Sequence, residues 1–242
     1  MSHSEVILQL KERLRQMERS HRKSVEPPCS TGTPLDQVLP EGGMEWGSLI
    51  EWLAEGEGTG MVTLALIVSS HLLCRQGVLV VIDSQRQFYP AALAALGIPL
   101  ERTVIVQPTN RRDELWAWEQ SLRSPAVTLV MGWMESLKEG EFRHLQLAAE
   151  TGGGMGFLLR AKNFLSEASW AEVRLLVRAL PLTLLRSVAK RSSARRRLHV
   201  EVVRCRGGMG GAIELELSDE EASVRVVPRL ADPASASRSA GA

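Results

Sequence analysis

The chain has 242 residues, 44% of them hydrophobic and 24% charged, and 29 basic against 28 acidic residues leave a net charge of +1. This length suits one large domain, and the balanced charge excludes a uniformly basic, histone-type nucleic-acid binder. The sequence contains no apolar run near the roughly 18 residues that span a bilayer, and its start lacks a signal-peptide pattern. Three widely spaced cysteines fit reduced thiols better than disulfides or a zinc site. We expect a cytoplasmic globular protein without a metal or cofactor.

The first 29 residues predict an amphipathic helix, over residues 5–23, followed by a linker. The apolar positions that recur at helical spacing are Ile7, Leu10, Leu14 and Met17. Pro27 and Pro28 end the helix. Because one apolar stripe cannot bury itself, we expect these four side chains to bind a partner protein or a second copy, or to fold back onto the core.

Residues 30–229 alternate short apolar runs with helical patterns, which predicts an α/β domain with a doubly wound, mostly parallel sheet. The predicted strands are Ser48–Ala54, Val78–Asp83, Thr103–Gln107, Ala126–Trp133, Met155–Ala161 and Glu172–Val177. The predicted helices are Gly60–Arg75, Pro90–Leu96, Asp113–Arg123 and Glu141–Thr151. Trp116 and Trp118 lie two residues apart on one predicted helix, so at least one of them is expected at the surface.

The last part of the domain has a different sequence pattern. Leu198–Cys205 and Ala212–Leu217 alternate with a period of two around a glycine-rich turn, which predicts an antiparallel hairpin at one edge of the sheet. Residues 230–242 are rich in Ala, Ser and Pro, and we expect them to be disordered.

A glycine-rich loop between the first predicted strand and helix has the glycines of a phosphate-binding loop but lacks the residues that bind phosphate and metal. Its relevant residues are Gly56, Gly58, Gly60, Met61 and Val62. A functional loop of this type places a lysine and a Ser or Thr directly after the last glycine. Here Met61 and Val62 stand at those positions, so we expect no useful ATP turnover. Two interpretations remain: a plain strand–helix connection, or a residual anion site at the helix start.

The surroundings of this loop resemble RecA. The segment Gly42-Gly-Met-Glu-Trp-Gly-Ser-Leu-Ile-Glu has the spacing of the stretch before the RecA phosphate loop, and Val81-Ile-Asp-Ser-Gln resembles a stretch after it. Against that pattern, Gln85 stands in the place of the catalytic glutamate, and an amide cannot act as a general base. Gly132-Trp133 replaces the second strand-ending aspartate, and residues 163–169 form a much shorter segment than the DNA-binding loop of RecA.

These departures make the chain similar to the ImuA family, degenerate RecA relatives that accompany translesion DNA synthesis in bacteria. The resemblance implies a non-catalytic adaptor in damage-induced mutagenesis. It implies as partners an ImuB-type Y-family-like protein and an error-prone replicative-type DNA polymerase, with RecA as a further candidate. The alternatives are an ATP-dependent RecA-like enzyme with a rearranged loop, and an inhibitor of RecA filaments or of cell division resembling SulA.

A basic segment near the C-terminus is the remaining candidate site. Its arginines include Arg191, Arg195, Arg196, Arg197, Arg204 and Arg206. This segment is predicted to contact nucleic-acid phosphates or an acidic partner, or else to protect a sheet edge from pairing. The absence of neighbouring aromatic residues in the sequence argues against base stacking.

Overall fold

The computed structural model describes residues 27–73, 77–181, 195–206, 210–218 and 223–227. These residues form one sheet with helices on both faces. The strands are β1 Leu49–Ala54, β2 Val78–Ile82, β3 Thr103–Val106, β4 Val127–Trp133, β5 Met155–Ala161, β6 Val173–Leu180, β7 Arg195–Cys205, β8 Ala212–Ser218 and β9 Ser223–Val226. The helices are α1 Met61–Leu72, α2 Pro90–Ala95, α3 Arg111–Arg123 and α4 Glu139–Gly152.

The strand order is β3-β2-β4-β5-β1-β6-β7-β8-β9. Strands β1 to β6 are mutually parallel, and β7, β8 and β9 continue the sheet in antiparallel fashion. This confirms the predicted RecA-like α/β architecture with an antiparallel end. The carboxyl ends of the parallel strands meet at one edge of the sheet, where ligands of open α/β folds bind.

Two apolar layers enclose the sheet. The layer on the face of α1 and α2 includes Trp52, and it extends over β7 and β8 through residues such as Leu198 and Leu217. The layer on the face of α3 and α4 includes Trp118 and Phe142. Strands that are buried on both faces consist of nearly continuous apolar residues, which is why the sequence pattern located them.

The helix and strand predictions are confirmed within a few residues. Helix α3 begins two residues earlier than predicted, because the side chain of Asn110 caps it by accepting a hydrogen bond from the Asp113 backbone N–H at 3.0 Å. As expected for neighbours on a helix, Trp118 is buried and Trp116 is 63% exposed. Strand β9 was not predicted, since its four residues are half-buried or exposed and lack a clear apolar pattern.

The helix predicted over residues 5–23 and the tail predicted over residues 230–242 lie outside the described residues, as does Arg191. None of the helices in the described part of the chain has the length and apolarity needed to cross a membrane.

Candidate functional site

The glycine-rich loop joins the carboxyl end of β1 to the start of α1, the position where a RecA-like fold would hold phosphates. Gly58 and Gly60 adopt positive φ angles of 67° and 80°, a region that glycine enters without strain. Gly60 is the N-cap of α1, and Gly56 lies in open space. The backbone of the loop therefore has the turns that its glycines predict.

The first residue of α1 is not available to a ligand. Met61 is 1% exposed and belongs to the apolar layer between α1 and the sheet. Val62, at the place of the metal-binding hydroxyl, is half-buried and packs against the same layer.

Side chains from β7 and β8 also pack against the start of α1. A Cβ atom built on Gly60 would lie 3.2 Å from Cδ2 of Leu198 and 3.4 Å from Cδ1 of Leu217. Aliphatic side chains therefore pack directly against the last glycine of the loop. They supply no donor for an anion at this point of the surface.

Glu55, the residue directly after β1, forms a small ion-pair group beside the loop. Glu55 accepts a hydrogen bond from Lys162 Nζ at 2.5 Å and lies 3.4 Å from Nε of Arg178. The hydrogen bond from Lys162 holds the pKa of Glu55 below its ordinary value, and the charges of Lys162 and Arg178 act in the same direction. Glu55 thus engages two cations that border the loop.

The aspartate at the end of β2 stabilises the loop that follows it. Asp83 is 7% exposed and accepts hydrogen bonds from the backbone N–H groups of Gln87 at 3.0 Å and Phe88 at 3.2 Å. Gln107 adds a side-chain hydrogen bond at 3.4 Å. Gln85, at the place of the catalytic glutamate, is exposed on this loop.

Gln85 lines a cavity of about 510 Å³ at the carboxyl ends of β2, β3 and β4. Trp133, which follows Gly132 at the end of β4, also lines it and is 41% exposed. The charge of the Arg111 guanidinium in the cavity wall is compensated, because Arg111 donates to Glu114 at 2.9 Å and lies 3.4 Å from Glu141. Glu135 and Lys138 line the cavity as well, so its wall carries charged side chains of both signs.

A buried ionic cluster fastens the short segment of residues 163–169, which follows β5. Arg160 is completely buried and pairs with Glu51, also completely buried, and with Glu167 at 2.5 Å. Arg174 Nε lies 2.5 Å from the second oxygen of Glu51. Arg174 also donates to the carbonyl of Phe164 at 3.1 Å, within the 3₁₀ turn Lys162–Ser166. The segment is thereby held against the sheet.

The sequence analysis missed this cluster, although a signal was present. Glu51, Arg160 and Arg174 are charged residues inside otherwise apolar strands. A buried charge requires a partner of opposite sign. Which charges pair depends on the register of β5, β1 and β6, and the sequence pattern does not give that register.

The structure divides the predicted basic segment among several places. Arg196 and Arg197 are consecutive on β7, so their side chains point to opposite faces of the sheet. Arg197 lies 4.0 Å from Glu216 on β8. Arg204 and Arg206, at the other end of β7, lie near Trp170. Arg195 begins β7.

The described residues contain no group of three or more His, Cys, Asp or Glu side chains placed to hold a metal ion. The RecA-like fold implies ATP as a ligand, and the residues after Gly60 do not fit it. They present a buried thioether and a half-buried isopropyl group where a triphosphate requires a cation and a metal-binding hydroxyl.

Comparisons with known proteins agree with the fold. The family model of the RecA N-terminal domain matches residues 9–137, more than half of the chain. Protein RecA from Picosynechococcus sp. is 33% identical over 97 residues, which are 40% of this chain and 27% of that protein. Cell division inhibitor SulA from Photorhabdus laumondii is 31% identical over 78 residues, 32% of this chain and 44% of that protein. SulA from Yersinia pestis is 28% identical over 116 residues, 69% of that protein. The chain spans less than half of the length of the first two relatives.

Proposed function

Because the chain belongs to the RecA N-terminal domain family, we propose that it is a non-catalytic accessory protein of the DNA-damage response. The observation that carries this proposal is the burial of Met61 at the position where a phosphate loop presents its lysine. A lysine–phosphate pair at 4 Å is worth on the order of 4 kcal/mol in a surface-like dielectric. In the described part of the chain, the side chains of Met61 and Val62 at the start of α1 are apolar and supply no such pair.

Three further features support a non-catalytic role. Val62 places a half-buried isopropyl group where a phosphate loop presents its metal-binding hydroxyl. Gln85 replaces a general base with an amide, and Trp133 stands where a second acidic residue is expected. Each change removes a different part of nucleotide chemistry, so one compensating rearrangement would not restore it.

The specific pathway follows from the resemblance to the ImuA family. We place the protein in translesion synthesis, as an adaptor that binds an ImuB-type Y-family-like protein and an error-prone replicative-type DNA polymerase, with RecA as a further partner. The apolar stripe of the N-terminal segment is the proposed contact surface, because a helix of that pattern must bury its stripe against another surface.

The accessory role is tested by measuring thermal unfolding with and without Mg·ATP and Mg·ADP. A nucleotide at 100 times its Kd would add about 2.7 kcal/mol to the free energy of unfolding. We expect no shift at millimolar nucleotide, with a RecA protein as the positive control. A saturable shift would support the alternative, an ATP-dependent enzyme with a rearranged loop.

The adaptor role is tested by capturing the ImuB-type protein with Leu14→Asp, which places a carboxylate in the apolar stripe. Gln16→Asp, on the opposite side of the predicted helix, is the matched control with the same added charge. We expect loss of capture for Leu14→Asp alone, with an unchanged thermal transition in both variants. Equal capture by both variants would remove the N-terminal stripe from the proposal.

A second candidate function is inhibition of cell division, which is favoured by the match to 69% of the Yersinia pestis SulA. Overproduction of the protein in a bacterial host without DNA damage distinguishes the two functions. A division inhibitor gives elongated cells, whereas the proposed adaptor leaves cell length unchanged.

A further inference from the structure

Two arginines from distant parts of the chain lie over one tryptophan on the face of the sheet that α3 and α4 cover. The guanidinium carbons of Arg143, on α4, and Arg206, just after β7, are each 5.6 Å from the ring centroid of Trp170. Trp170 itself is half-buried and packs against the apolar layer beneath α4. The ring is therefore a fixed platform that holds both cations in place.

A third arginine joins this group because β7 contains a bulge. The register between β6 and β7 shifts between Arg174 and Leu175, so that Arg204 stands opposite Arg174 while Val202 stands opposite Leu175. The extra residue, Val203, turns Arg204 to the face on which Arg174 and Trp170 lie. Arg204 then donates to the carbonyl of Ser169, next to Trp170, at 2.9 Å.

These three arginines differ from their neighbours in how their charges are compensated. Further along the same sheet face, Arg178 pairs with Glu201 at 2.9 Å and Arg197 lies 4.0 Å from Glu216. Within the described residues, Arg143, Arg204 and Arg206 form no ion pair with a carboxylate. Contact with a π face leaves the N–H donors of a guanidinium available, and an uncompensated group of such donors matches a polyanion.

We propose that Arg143, Arg204 and Arg206, arranged by Trp170, form a site for the phosphodiester backbone of a nucleic acid. Guanidinium groups donate in pairs to phosphate oxygens, and three of them at one place favour a repeating phosphate ligand over a single carboxylate. The contacts involve the backbone alone, so the site binds without sequence preference. It needs no nucleotide and does not depend on the proposed accessory role.

The site is tested by fluorescence anisotropy with a labelled 20-nucleotide single strand of mixed sequence and with the corresponding duplex, over a range of salt concentrations. For the single strand, three phosphate contacts predict a slope of log K against log salt of about −2. We expect Arg143→Gln, Arg204→Gln and Arg206→Gln each to weaken binding several-fold and to reduce the magnitude of this slope by about 0.7. Comparison of the two oligonucleotides shows which form of backbone the site prefers.

Arg102→Gln is the matched control, since Arg102 is an exposed arginine next to β3, at the opposite end of the sheet order. It is expected to keep the parent affinity. Trp170→Leu leaves the charge unchanged and is expected to weaken binding because the two guanidinium groups lose their platform, whereas Trp170→Phe retains part of the effect. Circular dichroism and thermal unfolding establish that each variant is folded.

Three outcomes would overturn the proposal. The first is equal loss of affinity in Arg102→Gln and the three site variants, which indicates a diffuse charge effect. The second is displacement of the oligonucleotide by a polyglutamate peptide of equal charge that binds more tightly, which indicates an acidic protein as the ligand. Absence of oligonucleotide binding at 50 mM salt also contradicts it.

Discussion

At the scale of single residues, Met61 is the residue that most clearly separates the glycine-rich loop from a functional phosphate-binding loop. Met61 is 1% exposed among aliphatic side chains, so a lysine placed there would lie in the core instead of in solvent. Burial of an unpaired ammonium group is costly and drives the group towards its neutral form. Restoring the sequence motif would therefore not restore its chemistry.

We predict that Met61→Lys lowers the free energy of unfolding by about 3 kcal/mol, a value typical of an unpaired charge in a core. It should confer no stabilisation by Mg·ATP. Met61→Leu, which conserves volume, should cost less than about 1.5 kcal/mol. Urea unfolding measures both changes. A Met61→Lys variant as stable as the parent, with a nucleotide-dependent shift, would show that the loop remains competent.

Glu55 provides a residue-scale test by pH. Its hydrogen bond from Lys162 holds its pKa below the ordinary value of 4.5. A carboxyl group with a lowered folded-state pKa stabilises the protein above its unfolded-state pKa, and this contribution is lost as pH falls through the folded-state pKa. We predict that an NMR titration places the Glu55 midpoint below 4.5 and that Lys162→Met raises it. An unchanged midpoint in Lys162→Met would assign the shift to other groups.

At the scale of elements, the sequence predicts the helices and strands, whose apolar residues recur regularly. It does not predict contacts between strands, because these depend on the strand register. The parallel strands and the four helices were located because their apolar residues recur with a period of two or 3.6, or run continuously. The pairing of Arg160 with Glu51 joins residues separated by 109 positions, and it follows only from the alignment of β5 with β1. The same holds for the site around Trp170, where a bulge in β7 determines which arginines meet the ring. The sequence pattern singled out Arg204 and Arg206 but not Arg143, and it placed no aromatic residue beside them.

The buried cluster yields a prediction for the 3₁₀ turn that it fastens. Removal of one partner from a buried ion pair leaves an uncompensated charge and costs about 3–5 kcal/mol. We expect Glu51→Gln to lower the free energy of unfolding by this amount and to increase amide hydrogen exchange in residues 162–166. Glu119→Gln, which breaks the surface pair with Arg123 at 2.8 Å, is the control and should cost at most about 0.5 kcal/mol. Equal effects of the two substitutions would contradict a structural role for the cluster.

At the scale of the whole molecule, one sheet joins the two apolar layers, so neither layer can persist when the other is lost. Trp52 reports on the layer of α1 and Trp118 on the layer of α4, and both rings are fully buried. Among the residues that the structure describes, neither indole Nε1 atom has a hydrogen-bond partner. Replacement by phenylalanine removes this unsatisfied donor along with some volume, so each substitution should be tolerated.

We therefore predict that Trp52→Phe and Trp118→Phe variants show coincident urea transitions by tryptophan fluorescence and by far-ultraviolet circular dichroism. Coincidence of probes is the signature of a single cooperative unit. Because the chain has six tryptophans, the difference between the fluorescence transitions of the parent and of each variant isolates the signal of the replaced ring. Separate midpoints would mean that β7 and β8, which complete only the α1 layer, unfold independently. In that case Leu198 and Leu217 would withdraw from Gly60 before the rest of the core opens, and the start of α1 would become accessible without global unfolding. A single transition would instead mean that Leu198 and Leu217 stay packed against Gly60 until the whole sheet unfolds.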